Sequence, residues 1–192
     1  IKASKKELQS REEIEALLSA ARTILTVSDF QACAREIFNS CCRVTGATSG
    51  YVALLSENGE ENEVLFLEAG GRPCTVDPRL PMPIRGLRAE AYKSGRTVYD
   101  NDFFSSEWMQ YMPEGHVRLD NVLFAPLNID KKTLGIMGIA NKNGGFDDHD
   151  ARLAATFGDF AAIALKNSRY VEEITCYFKK QIQLEKQLQH VT

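Results

Sequence analysis

Read as a string of apolar and polar positions, the chain changes period several times, and each change marks an element. Ser10 followed by Glu13 makes a capping-box pattern, and Ile14, Leu17, Leu18, Ala21, Ile24 and Leu25 then recur at helical spacing, which predicts an amphipathic helix over 10–26. Ser28 and Gln31 repeat the pattern, and Phe30, Cys33, Ala34, Ile37, Phe38 and Cys41 form the apolar stripe of a second helix ending near Gly46. From Ser49 the period shortens. Tyr51, Val52, Ala53, Leu54 and Leu55 are apolar on both faces, Glu57-Asn58-Gly59 reads as a turn, and residues 64–67 return as a second strand, so a β-hairpin is expected. Gly70, Gly71, Pro73, Pro78, Pro81 and Pro83 fill the next stretch, and proline's fixed φ and missing donor predict an irregular connection. A short helix over 86–93, closed by Ser94-Gly95, and a short strand over 97–99 follow.

Residues 101–116 place Phe103, Phe104, Trp108, Met109, Tyr111 and Met112 among polar residues and a Pro113-Glu114-Gly115 turn. Aromatic residues on a connecting segment need cover, and they serve either as the lid of a cavity or as a cap on one face of a sheet. Residues 121–127 and 134–141 give the clearest strand signal, joined through 129–132. In a period-2 reading Phe124, Ile136, Gly138 and Ala140 share one face and Leu123, Met137 and Ile139 the other. Both faces must therefore be covered. Pro126 predicts a bulge, an edge or an unpaired position. Asp147 is placed as an N-cap with Asp150 three residues on, opening a long helix through Leu153, Ala154, Phe157, Phe160, Ala161, Ala164 and Leu165.

This order of elements resembles the GAF family, most strongly in N-V-L-F-A-P-L at 121–127, L-G-I-M-G-I-A-N-K at 134–142 and F-D-D-H-D-A-R-L at 146–153. The resemblance covers residues 12–166. It implies an α+β fold of GAF-like (profilin-like) type: a central antiparallel sheet, terminal helices on one face, and irregular segments and short helices folded over the other above a small-molecule cavity. Asn141, Lys142, Phe146 and Asp150 resemble the pattern of cyclic-nucleotide-binding GAF domains, in which the lysine and aspartate support the fold beside the pocket. Ala151 stands where that pattern has a second acid, so the match is incomplete. The family also includes a free-methionine-sulfoxide reductase, which sets an enzyme alternative beside the sensor.

The tail adds a second pattern. Ile163, Tyr170, Tyr177, Leu184 and Val191 fall seven apart, with Asn167, Ile174, Gln181 and Leu188 in the complementary positions, the seam of a coiled coil that needs a partner. A parallel homodimer through the terminal helices is the simplest partner. The chain accordingly divides into an N-terminal linker (1–9), a sensor domain (10–166) and a signalling helix (167–192) leading to a covalently linked output domain. Such outputs in the family are often histidine kinases, cyclases or phosphodiesterases, and residues 184–189 look like the approach to a histidine-kinase dimerisation helix.

Composition changes this picture only by exclusion. A formal net charge of −3, without a basic stripe interleaved with aromatics, gives no footprint for nucleic acid. No apolar run approaches the length of a membrane span. Five cysteines without a C-x-x-C pair argue against a disulfide framework, and a reduced, cytoplasmic setting is expected. His116, His149 and His190 lack metal-ligand spacing, so no metal is expected. No cofactor is required: bilin attachment would need a cysteine beside a histidine, and only haem ligation by His116 or covalent attachment at Cys74 comes into question. Asp100, Asp102 and Glu107 read as turn caps rather than acid and base. The binding residues expected from the aromatic segment and its neighbouring strands are Tyr99, Asp100, Phe103, Trp108, Tyr111, Asn121 and Phe124, facing a small apolar or partly aromatic ligand.

Overall fold

A computed structural model describes residues 2–189. The elements run α1 (Lys2–Thr26), α2 (Phe30–Thr45), β1 (Ser49–Leu55), β2 (Asn62–Glu68), α3 (Leu87–Ser94), β3 (Val98–Asp100), β4 (Val122–Ile129), β5 (Lys132–Ala140) and α4 (Asp148–Gln189). Two 3-10 turns, Phe103–Ser105 and Glu107–Tyr111, lie between β3 and β4. The five strands form one sheet in the order β2-β1-β5-β4-β3, and every adjacent pair is antiparallel. The fold is α+β, as the resemblance implied.

The sheet is apolar on both sides because β4 and β5 alternate two apolar sets. Val52, Leu123, Ala125, Leu127, Met137 and Ile139 meet α1, α2 and α4 through Ala16, Ala20, Ile37, Phe38, Cys41, Ala154, Phe157 and Ala161. Ala53, Val122, Phe124, Ile136 and Ala140 form a second, smaller core with Ala91 of α3 and Phe103. The β4–β5 turn consists of Asp130 and Lys131, both at positive φ (48° and 66°), the geometry that matches the twist of the strands it joins. Pro126 is tolerated because β3 pairs with β4 only as far as Phe124, leaving the proline beyond its neighbour, and the β4–β5 register slips just after it at Leu127/Asn128.

Two helix starts differ from the sequence expectation. α1 begins at Lys2, so Ser10 is an interior residue and the stretch read as a linker over 1–9 is helical from Lys2 on; Lys, Glu, Gln, Leu and Ala at these positions are good helix formers and continue the turn without a cap. α2 is capped by Asp29 rather than Ser28, its carboxylate accepting from the Ala32 amide at 2.7 Å, and Gly46 closes it at φ 80°. At α4 the cap is reciprocal: the Asp150 amide donates to Asp147 Oδ1 at 2.9 Å and the Asp147 amide to Asp150 Oδ2 at 3.0 Å. α4 runs for 42 residues. Its buried positions end at Leu165, and residues 169–188 are exposed throughout.

Candidate functional site

The second core is incomplete, and the gap is a cavity. Its floor is the sheet face of β1, β5 and β4, where Tyr51, Gly138 and Phe124 lie side by side in register. Gly138 makes the room: a Cβ there would meet Tyr51 Cε1 at 2.9 Å and Phe124 Cε1 at 3.0 Å. The Tyr51 and Phe124 rings lean over the glycine with centroids 6.3 Å apart. The roof is the segment carrying Phe103, Trp108, Tyr111 and Met112, and one wall is the start of α3, with Leu87 and Arg88. This inner cavity measures ≈ 50 Å³. It adjoins an outer cavity of ≈ 610 Å³ under the proline-rich connection, and Leu67, Met82, Arg85, Arg88, Tyr111 and His116 border both. The outer volume falls within the roughly 300–1,000 Å³ of small-molecule pockets.

The roof is fastened at few points. Arg85 donates to the Tyr111 carbonyl at 3.3 Å and sits 5.4 Å from that ring's centroid. Gly86 (φ 68°) allows the roof to descend onto α3, since a Cβ there would lie 3.1 Å from Tyr111 and 3.7 Å from Trp108. Only a residue without a side chain adopts its backbone conformation (φ 68°, ψ −154°) without strain.

Polar groups in the cavity wall are few. The Tyr51 hydroxyl and Arg88 Nη1 are buried without a partner among the described residues. Burial pushes the Tyr51 hydroxyl's pKa up, and the Arg88 charge partly opposes that rise. Cys74 and His116 both border the outer cavity, with His116 Nδ1 2.8 Å from the Val117 carbonyl oxygen. Among the described residues no group of three or more His, Cys, Asp or Glu is arranged to hold a metal ion.

Of the residues singled out from the sequence, Phe103, Trp108, Tyr111 and Phe124 line the inner cavity. Tyr99, Asp100 and Asn121 do not. Tyr99 pairs with Leu123, so it shares the helix-side face, where its hydroxyl donates to Asp148 at 2.9 Å. Asp100 accepts from the Asp102 amide, a turn contact. Asn121 brackets Lys142, donating to its carbonyl at 2.8 Å and accepting from its amide at 2.9 Å.

Asn141, Lys142, Phe146 and Asp150 also stand outside the cavity and join β5 to α4. Asn141, at φ 60°, accepts from the Asp120 amide and donates to Ser49 Oγ and the Arg118 carbonyl. Phe146 is held through its backbone by Asn101. Lys142 Nζ pairs with buried Asp150. The cavity residues that sequence reasoning missed include Tyr51, Arg88 and Met82, whereas His116, considered there only as a haem ligand, borders both cavities. Tyr51 was legible only as one apolar strand position among five, and an arginine on a short helix is ordinarily solvated.

The α+β order, the two-sided sheet and the cavity under an irregular roof coincide with a family model described as GAF domain, which matches residues 27–166. The chain belongs to the GAF domain family. Among curated proteins, this GAF domain is 25% identical over 139 residues to the methyl sulfide methyltransferase-associated sensor of Methanosarcina acetivorans. The match takes in 69% of the chain and 13% of the relative's length, so the chain spans about one-eighth of that protein. Among solved structures, it superposes on the GAF domain of a phosphoenolpyruvate-protein phosphotransferase from Coxiella burnetii (TM-score 0.72, 12% identity, 85% of this chain and 98% of that one). It also superposes on the free methionine-R-sulfoxide reductase of Neisseria meningitidis in complex with its substrate (TM-score 0.67, 17% identity, 83% and 91%). At these identities the structural likeness speaks for the GAF fold alone. No helix among the described residues is long and apolar enough to cross a membrane.

Proposed function

We propose that this GAF domain is the small-molecule-sensing and dimerisation module of a cytoplasmic multidomain signal-transduction protein, and that α4 carries the state of the cavity to an output domain such as a histidine kinase. The observation that carries this reading is the division of the sheet: one face floors the cavity, and the other is the packing surface of the helix that leaves the domain. Phe124 faces the cavity while Leu123 and Ala125, its neighbours on β4, face α4. A ligand that changes the stance of β4 therefore acts on α4 within one residue.

The far part of α4 supports a second copy as the partner. Ile163, Tyr170, Ile174, Tyr177, Leu184 and Leu188 are all 47–69% exposed; Val191 lies outside the described residues. Val171, Phe178 and Ile182 widen the stripe, and α1 adds Leu8, Ile14, Leu18 and Leu25, also exposed. Exposed apolar side chains repeated along two helices in this way are what an interface between copies requires.

The thiols weigh against the reductase alternative. Cys33 and Cys41 lie in the helix-side core and Cys42 packs against it, away from the cavity. Burial raises the pKa of all three, Cys42 to about 12, so they are not thiolates at neutral pH. Cys74 alone borders the outer cavity, and one thiol forms no intramolecular disulfide.

Native mass spectrometry of the purified protein tests the sensing reading. The expected spectrum is a two-chain mass with a small-molecule adduct, and Trp108→Ala should lose the adduct but keep the dimer. If Trp108→Ala retains the adduct and loses thermal stability, Trp108 is core rather than a ligand contact.

A further inference from the structure

The cavity contains a charge with nothing to balance it. Arg88, the second residue of α3, is only 8% exposed. Among the described residues its guanidinium makes no hydrogen bond or ion pair, and its Nη1 is fully enclosed. Glu68, the one acid among the described residues that line the inner cavity, is exposed and accepts from the Gly70 amide at 3.0 Å. The Tyr51 hydroxyl, also enclosed and unpartnered, borders the same inner cavity. Its proton affinity feels the Arg88 charge, so the two groups are electrostatic neighbours. Burying an uncompensated cation and an unmade hydroxyl bond together is costly in an unliganded fold, and the cost is relieved by an anion that meets both.

We propose that Arg88 and Tyr51 form the recognition pair for an anionic head group, carboxylate or phosphate, carried on a small apolar or aromatic body that rests against Phe103, Trp108 and Phe124. The proposal rests on the sensing reading above and names the ligand class of that site. A guanidinium presents a planar fork that engages two oxygens of such a head group through charge-assisted bonds, and the tyrosine hydroxyl donates a further one. Arg88 borders both the inner and the outer cavity, so it holds the head group at their junction while the body fills one side. The inner space (≈ 50 Å³) is smaller than the roughly 150 Å³ of a core cavity that takes up benzene, so it admits a short branched chain or the edge of a single ring whose remainder lies toward the outer cavity (≈ 610 Å³), and it does not suit a nucleoside.

The test compares benzoate, phenyl phosphate and benzamide, which share a ring and differ in head-group charge, by amide chemical-shift titration of the whole protein. At least one anion should bind about tenfold or more tightly than benzamide, and the preferred anion identifies the head group. Arg88→Met should abolish the preference and leave the melting temperature of the unliganded protein unchanged or higher, because an unbalanced buried charge has been removed. If Arg88→Met does not fold, Tyr51→Phe carries the test: it should weaken anion binding and leave benzamide as it was. Equal binding of benzamide and both anions would overturn the pair while leaving the sensing cavity intact. An anion preference that survives Arg88→Met, or a lower melting temperature in that variant, would assign Arg88 to structure alone. If none of the three probes perturbs the cavity, both this proposal and the small-molecule reading of the site fall together.

Discussion

At Asp150 a carboxylate that is only 5% exposed receives the Asp147 amide and the Lys142 ammonium. Removing Lys142 leaves that buried charge unpaired, so Lys142→Met should destabilise the fold by about 3 kcal/mol, measured by urea denaturation. Adding Asp150→Asn should return part of the loss, and a double-mutant cycle without coupling would contradict the pairing. Thiols give a second residue-scale expectation. Ellman's reagent should react with Cys74 and Cys176 in the native protein and with Cys33, Cys41 and Cys42 only after unfolding, since those three are held in or against the helix-side core. Their raised pKa values set an alkaline limb. Stability is intact below the ordinary thiol value of 9.0 and is lost as pH climbs from there toward the folded value, about 12 for Cys42, because the unfolded chain gives up its protons first. A denaturation midpoint that is flat from pH 9 to 12 would contradict this. Single residues were the least legible scale in the sequence. Phe103, Trp108, Tyr111 and Phe124 were readable as cavity residues because aromatics on a connecting segment need cover; Tyr99 was not excluded because its face depends on the β3–β4 register, which no local pattern encodes.

Among the elements, α4 approaches β4 closely at Gly158. A Cβ at Gly158 would sit 2.9 Å from the Pro126 carbonyl oxygen, so the glycine brings helix and strand together. In an isolated helix Gly→Ala is stabilising by about 1 kcal/mol. Here Gly158→Ala should instead lower the melting temperature, because the helix must back away from β4. An unchanged or higher melting temperature would show that the helix has slack at this point and weaken the case for relay through β4. Elements were far more legible than sites. The Asp147–Asp150 cap, the positive-φ turn at Asp130-Lys131 and the two apolar sets of β4 and β5 are local chemistry written in consecutive residues. The start of α1 was misjudged because Ser10 offers a cap that the preceding helix formers make unnecessary. Arg88 was missed for the opposite reason: its burial comes from the roof segment and the proline-rich connection, both distant in sequence.

At the scale of the whole molecule, burial along α4 stops well before the helix does. Among the described residues none past Leu165 is buried, and the remaining turns of α4 display a row of exposed apolar side chains. Truncation after Lys166 should leave a folded protein, with an unchanged near-ultraviolet spectrum, that sediments as a monomer while the full chain sediments as a dimer. A dimeric truncation product would move the interface to α1 and the domain body. The exposed Cys176 on α4 offers a direct view of the claim that two copies meet along this helix and that the cavity governs how they meet. In a Cys74→Ser background, a spin label at Cys176 reports the distance between protomers by pulsed electron paramagnetic resonance, before and after any co-purifying small molecule is stripped by unfolding and refolding. Paired helices with axes about 10 Å apart predict one short, narrow distance that shifts or broadens when the ligand is removed. No distance between protomers, or one indifferent to the ligand, would contradict the account.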